Sequence, residues 1–284
     1  MNKSITPLSF DKWCSDPNRS TLVMGIVNVT PDSFSDGGKF YRTDSAINHA
    51  LEMINDGADI IDVGGESSRP GAKKISIDEE LDRIIPVIKG IRLISPNVLI
   101  SIDTTKSVVA ENAISVGANI VNDISGLAFD PDMVQIASKL KIPIVIMHMK
   151  GIPENMQDNP CYNNIIFDIK LFFKNQINLA IEAGVKKENI ILDPGIGFGK
   201  TVEHNFIIIN KLNEFCEFDI PLLIGPSRKS FIGITLDLPV ENRFEGTAAV
   251  TTAGILNGAR IIRVHNVKKI KRIVAITEKI RRAI

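Results

Sequence analysis

The chain has 284 residues, 44% of them hydrophobic and 23% charged, the proportions of an ordinary globular protein rather than a disordered or membrane one. Lysine plus arginine and aspartate plus glutamate number 33 each, so no net positive field exists to gather nucleic acid or an anionic membrane, and any anionic ligand must be met by locally placed charges. No apolar run approaches the ~20 residues that span a bilayer, and the first twenty residues hold no continuous apolar stretch, so a cytoplasmic protein is expected.

After a polar arm over residues 1–20, short β-branched runs alternate with longer stretches of helical period. Strands are predicted at 22–27, 59–63, 98–102, 119–122, 144–147, 190–192, 222–224 and 260–264. Helices with an apolar stripe are predicted at 45–55, 77–90, 106–116, 132–139, 166–183, 204–214, 242–257 and 267–282. Gly57, Gly117 and Gly258, each followed by alanine, fit a left-handed helix terminus running directly into the next strand. Eight successive βα units close most simply into a barrel, and no linker interrupts them. The expected fold is therefore a single α/β domain over 21–284, a (β/α)8 TIM barrel. Cys14, Cys161 and Cys216 are far apart, odd in number and in no metal-ligand spacing, so they read as free thiols.

In such a barrel the chemistry sits at the C-terminal ends of the strands. Polar residues collect there: Asn28, the 66–69 loop, Asp103, Asn122, Asp193, Lys229, and Arg263 with His265. Each alone fits a helix cap or an idle loop; their convergence on one mouth is the signal. Two carboxylates near a packed barrel are costly if unpaired, so a ligand rich in donors is expected. Lys229, Arg263, Arg69 and His265 add cations, which point to a phosphate-bearing ligand. The segment PGIGFGKT at 194–201 looks like a nucleotide phosphate loop but has proline where the first glycine is required; its glycines read instead as a tight turn with close ligand approach.

Several longer motifs carry a resemblance: GIVNVTPDSFSDGG at 25–38, DVGGESSRPGA at 62–72, SIDT at 101–104, VNDISG at 121–126, MHM at 147–149, DPGIGFGK at 193–200, GPSRKSFIG at 225–233 and RVH at 263–265. In this order, from residue 21 to about residue 281, the sequence resembles the dihydropteroate synthases. The resemblance implies an enzyme of folate biosynthesis that replaces the pyrophosphate of 6-hydroxymethyl-7,8-dihydropterin pyrophosphate with p-aminobenzoate, assisted by Mg2+.

It implies a pterin site of Asp103, Asn122, Met147, Asp193, Phe198, Gly225 and Lys229. The pyrophosphate falls to Asn28, Ser68, Arg69, Arg263 and His265, with Asn28 also holding the metal. The p-aminobenzoate pocket is expected from Phe34, Pro70, Phe198, Lys229 and Ser230. Asp36, Lys229, Arg263 and His265 are the candidate catalytic residues, Asp36 stabilising a cation left when pyrophosphate departs in a dissociative substitution. The loops at 28–39 and 64–76 would close over the substrates. Sulfonamides would compete for the p-aminobenzoate pocket, and a homodimer through the last helices follows by family analogy.

Two positions depart from the family pattern: Ser68 stands where threonine is more frequent, and Asn266 where aspartate is usual. Two alternatives stay open on these residues. One is a pterin-binding methyltransferase of the methyltetrahydrofolate:corrinoid kind, which has no pyrophosphate to expel; the other is a catalytically silent pterin-binding paralogue.

Overall fold

The computed structural model describes residues 5–30, 39–68 and 71–283, with only the backbone of 39–42. In chain order the elements are α1 (Pro7–Ser15), β1 (Leu22–Asn28), α2 (Lys39–Asn55), β2 (Ile60–Gly64), α3 (Ile77–Ile94), β3 (Leu99–Asp103), α4 (Ser107–Ser115) and β4 (Ile120–Asp123). There follow α5 (Met133–Leu140), β5 (Ile144–Met147), α6 (Ile165–Glu182), β6 (Ile190–Asp193), α7 (Val202–Asn210), β7 (Leu222–Ile224), α8 (Ser230–Leu236), α9 (Phe244–Leu256), β8 (Ala259–Val264) and α10 (Val267–Arg282). The strands pair in parallel in sequence order, and β8 returns to β1, closing a (β/α)8 barrel. Among the described residues no helix is long and apolar enough to cross a membrane.

The turns that join helix to strand follow the expected chemistry. Gly57, Gly117 and Gly258 all have positive φ, a conformation that costs glycine nothing and lets each helix stop shortly before the next strand begins. At the start of α10, the Asn266 side chain accepts from Lys269 N at 3.1 Å, so asparagine caps this helix as aspartate would.

Two apolar cores result. Outward-facing strand residues such as Val63, Ile102 and Ile262 pack against the helix stripes. Inward-facing Met24, Ile60, Leu99, Ile120, Val145, Ile191, Leu223 and Ile261 fill the barrel, and Phe10, Trp13 and Cys14 of α1 seal it from below. Residues 1–20 were expected to be a polar arm; instead residues 7–15 are a helix whose i, i+3, i+4 face is buried against the barrel floor. Phe10 and Trp13 stack with ring centroids 5.4 Å apart, and Trp13 Nε1 donates to Ser20 O at 2.8 Å.

Two other elements differ from expectation. The helix predicted over 204–214 stops at Asn210, and Leu212–Phe218 is a 3-10 helix. Apolar Ile209, Leu212 and Phe215 recur every third residue, a spacing that serves the three-residue turn as well as the α-helix. α8 starts at Ser230 but shows no apolar period in the sequence, because SFIGITL is short, β-branched and interrupted by glycine.

Candidate active site

Along a strand every second side chain shares a face, so the barrel interior is decided by parity. Two residues beyond the apolar floor the same inward face presents Asp62, Asn122, Met147, Asp193, Gly225 and Arg263; four residues beyond it, β1 and β3 present Asn28 and Asp103. The interior thus turns from hydrocarbon to charge within one step of the pleat. All three carboxylates are buried: Asp62 is 0% exposed, Asp193 5% and Asp103 9%.

Arg263 ties the mouth together. Its Nε donates to Asp62 Oδ2 and its Nη2 to Asp103 Oδ2, each at 2.6 Å, while Asn122 Nδ2 donates to the same Asp62 oxygen at 3.1 Å. Burial pushes the Asp103 carboxyl up to about 7, with Arg263 pulling it down and Asp62, Glu80 and Asp123 pushing it up. Burial likewise raises Asp193 to about 6, against the hydrogen bond its Oδ1 accepts from Gly195 N at 2.7 Å and the charges of Lys229, Lys200 and Arg263. Opposed to them, Lys229 is held down to about 8, by burial first and then by Arg263.

The segment after β6 forms the wall beside Asp193. Gly195, Gly197 and Gly199 all take positive φ, so the chain doubles back tightly. At Gly197 a β-carbon would also lie 2.9 Å from Lys229 Cδ, so only glycine admits the lysine. Lys229 Nζ then sits 4.0 Å from the Phe198 ring centroid, and Phe198 packs with Ile124, Met147 and Met156 in a small apolar cluster. Lys200 does not face a phosphate. Its buried Nζ donates to Phe198 O at 2.9 Å and His148 O at 3.2 Å and lies 3.1 Å from His148 Nδ1. Burial and then the Lys200 charge press His148 down to about 2, leaving it neutral.

A cavity of about 260 Å3 opens beside Asp103 and reaches Ser68, Thr104 and Phe129. His265 lies just past β8, its Nδ1 2.9 Å from Ser227 Oγ, and Ser230 begins α8 in solvent next to Lys229. Asn28 ends β1 opposite Gly64 of β2. The barrel therefore gathers Asn28, Asp103, Asn122, Met147, Asp193, Gly225, Lys229 and Arg263 at one mouth, with Phe198, His265 and Ser68 on its rim loops and Ser230 at the start of α8. Phe34, Asp36, Arg69 and Pro70 lie outside the described residues.

Sequence reading missed Asp62 and a second cluster behind the 64–76 loop. Lys106 Nζ donates to Glu66 Oε2 at 2.7 Å and to the buried Glu80 Oε2 at 2.5 Å, and Glu66 also accepts from Ile75 N, which ties the loop to α3 and to the turn before α4. Asp62 escaped because β2 runs two residues past it, so it is not a strand end; its parity with Asn122 and Arg263 was the available signal. The Lys106 cluster joins residues up to 40 apart and has no spacing to betray it.

Comparison with known proteins agrees along nearly the whole chain. The family described as pterin binding enzyme matches residues 24–265. A dihydropteroate synthase of Clostridium beijerinckii is 51% identical, covering 91% of this chain and 93% of that protein. The structure of the Yersinia pestis dihydropteroate synthase with a sulfonamide drug superposes with a TM-score of 0.88 at 43% identity, covering 93% of this chain and 95% of that one. The Xanthomonas albilineans dihydropteroate synthase with 4-aminobenzoic acid gives a TM-score of 0.88 at 36% identity, over 94% and 95% of the two chains.

Proposed function

The chain belongs to the dihydropteroate synthases, pterin-binding enzymes of folate biosynthesis, and from that membership we propose how its own residues divide the work. The carrying observation is the convergence of Asp103, Asn122, Asp193, Lys229 and Arg263 on one barrel mouth. Asp103, Asn122 and Asp193 take the donor-rich pyrimidine edge of the pterin, because ionised carboxylates and an amide oxygen only accept. Lys229, held over Phe198, donates to ring acceptors, and Met147, Phe198 and Gly225 bound the ring.

Ser68, Arg69, Arg263 and His265 hold the diphosphate and stabilise the charge it gains on leaving. The bond from the exocyclic carbon to the diphosphate oxygen breaks first, and the positive charge spreads into the dihydropterin. Asp36 stabilises that cation. The neutral aniline nitrogen of p-aminobenzoate then bonds to the carbon and loses a proton, giving 7,8-dihydropteroate and pyrophosphate. Phe34, Pro70, Phe198, Lys229 and Ser230 form the p-aminobenzoate pocket, which a sulfonamide would share.

Asn28 suits Mg2+. It offers one hard oxygen at the mouth, and among the described residues no cluster of three or more His, Cys, Asp or Glu side chains competes for the ion, which fits a metal that arrives with its own water and diphosphate ligands. When bound, the metal supplies positive charge to the leaving group. Exposed apolar side chains at Ile234, Leu236, Leu256, Ile276 and Ile280 support a homodimer through the last helices.

Purified protein supplied with Mg2+, the pterin pyrophosphate and p-aminobenzoate should release pyrophosphate and form dihydropteroate, and Asp36→Asn should lower turnover while sparing pterin binding. Unchanged turnover in that variant would mean that Asp36 does not stabilise the cation.

A further inference from the structure

One carboxylate at the mouth has no part in these roles. Asp62 is fully buried, and its single oxygen Oδ2 accepts from Arg263 Nε and Asn122 Nδ2, joining β2, β4 and β8 across 201 and 60 residues of sequence. Among the described residues its other oxygen, Oδ1, has no hydrogen-bond partner. A buried ion pair with one oxygen unmatched contributes little to stability beyond what apolar side chains of the same size would give. It does fix orientation.

Asn122 could face a ligand with either end of its amide. A carboxylate can only accept, so contact with Asp62 commits the NH2 end of Asn122 to the barrel interior and turns its oxygen the other way, as an acceptor. Arg263 is constrained similarly. Its Nε is held at depth by Asp62, while its Nη2 meets Asp103 at the strand end, on a carboxylate that serves the pterin. A pterin that takes Asp103 with two adjacent N–H groups competes with that Nη2 contact.

We propose that Asp62 is a positioning residue of the reaction: it sets the Asn122 amide so that its oxygen faces the pterin, and it anchors Arg263 by Nε so that only the Nη end exchanges between Asp103 and the anionic leaving group. This rests on the assignment of Asp103, Asn122 and Arg263 to the pterin pyrophosphate. Pterin binding and presentation of the arginine to the diphosphate become one event, because the group that vacates Asp103 is the group the diphosphate needs.

The test uses the full chain with Asp62→Asn and Asp103→Asn, titrated with 6-hydroxymethyl-7,8-dihydropterin across pH and assayed for turnover. In Asp62→Asn the new amide can donate to Asn122, so Asn122 is free to flip. Pterin affinity and kcat should each fall roughly ten- to a hundredfold, while KM for p-aminobenzoate stays within about twofold of wild type. A packing role would leave the pH profile in place. Asp103 is faced by Arg263 from β8, Asp62 from β2, Glu80 from α3, Asp123 from β4 and Lys229 from the segment before α8. Removing the Asp62 charge makes Asp103 easier to ionise, so the acid limb of pterin binding should move to lower pH.

Pterin affinity, kcat and acid limb all matching wild type would overturn the proposal, as would losses with an unmoved acid limb. If Asp103→Asn leaves pterin affinity intact, the pterin assignment itself is wrong, a result distinct from a silent Asp62→Asn. Should Asp62→Asn fail to fold, the wild-type protein decides by NMR: the Arg263 Nε–H should resist exchange both with and without pterin plus pyrophosphate. Exchange as fast as that of a surface arginine would overturn the anchor.

Discussion

Asp103 and Asp193 share their burial but differ in what answers them: an arginine for the first, a backbone N–H for the second. Both carboxyls are raised, to about 7 and about 6, chiefly by loss of water. An unfolded aspartate titrates at about 4. Between that value and the folded ones, the native state holds more protons than the unfolded chain, so the stability due to these groups is greatest at low pH and is lost as pH rises through about 6 to 7. Pterin binding runs the other way, since it needs both groups as acceptors. The thermal midpoint of the free protein should therefore receive a falling contribution from these groups between about pH 5 and pH 7.5, while the upward shift produced by saturating 6-hydroxymethylpterin grows over the same range. Differential scanning fluorimetry with and without the pterin checks both slopes; a ligand shift that shrinks with rising pH would contradict the acceptor role. Such residues were legible as candidates because aspartate and asparagine at successive strand ends are unusual. Their partners were not: Asp62 sits inside a strand, and the pairing with Arg263 spans the chain from β2 to β8.

At the scale of elements, α1 shows what local pattern cannot reveal. Nine residues offer too few turns for a period to stand out, and only Phe10, Trp13 and Cys14 mark a face. What they cover is the N-terminal end of the barrel, where Leu22, Ile60 and Ile261 would otherwise meet water. Phe10→Ala removes a ring that is 2% exposed and leaves a hole between helix and floor, so it should destabilise the protein by about 3–4 kcal/mol. Urea unfolding measures that loss. KM values of the folded fraction should be unchanged, because the mouth lies at the other end of the strands; altered KM values would mean that the floor shapes the site. The longer helices were legible for the opposite reason, since α3, α6 and α10 run 16 to 18 residues and their stripes repeat several times.

For the whole molecule, closure of the barrel was the easiest inference and the detailed site the hardest. Eight successive βα units close most simply into a barrel, and β8 pairing with β1 leaves no free edge. Which side chains meet inside depends on strand parity and stagger, which alternation alone does not fix at short strands such as the three-residue β7. The exposed apolar residues of α8, α9 and α10 act at this scale too. Light scattering coupled to gel filtration should give about twice the 31.2 kDa chain mass, and Ile276→Glu should shift the population toward the monomer. A monomeric mass for the wild-type protein would end the dimer proposal.

The chain has one tryptophan, and it is Trp13, 5% exposed in the floor helix. Its indole stacks on Phe10, and the Arg19 guanidinium lies 6.0 Å from its ring centroid, at the end of the barrel opposite Asp103, Asn122 and Asp193. Tryptophan emission of this protein therefore reports whether the floor is in place, from the end of the barrel away from the substrates. A change in its emission when pyrophosphate binds, a ligand that does not absorb at these wavelengths, would record a strain carried the full length of the strands, from the mouth to the floor helix.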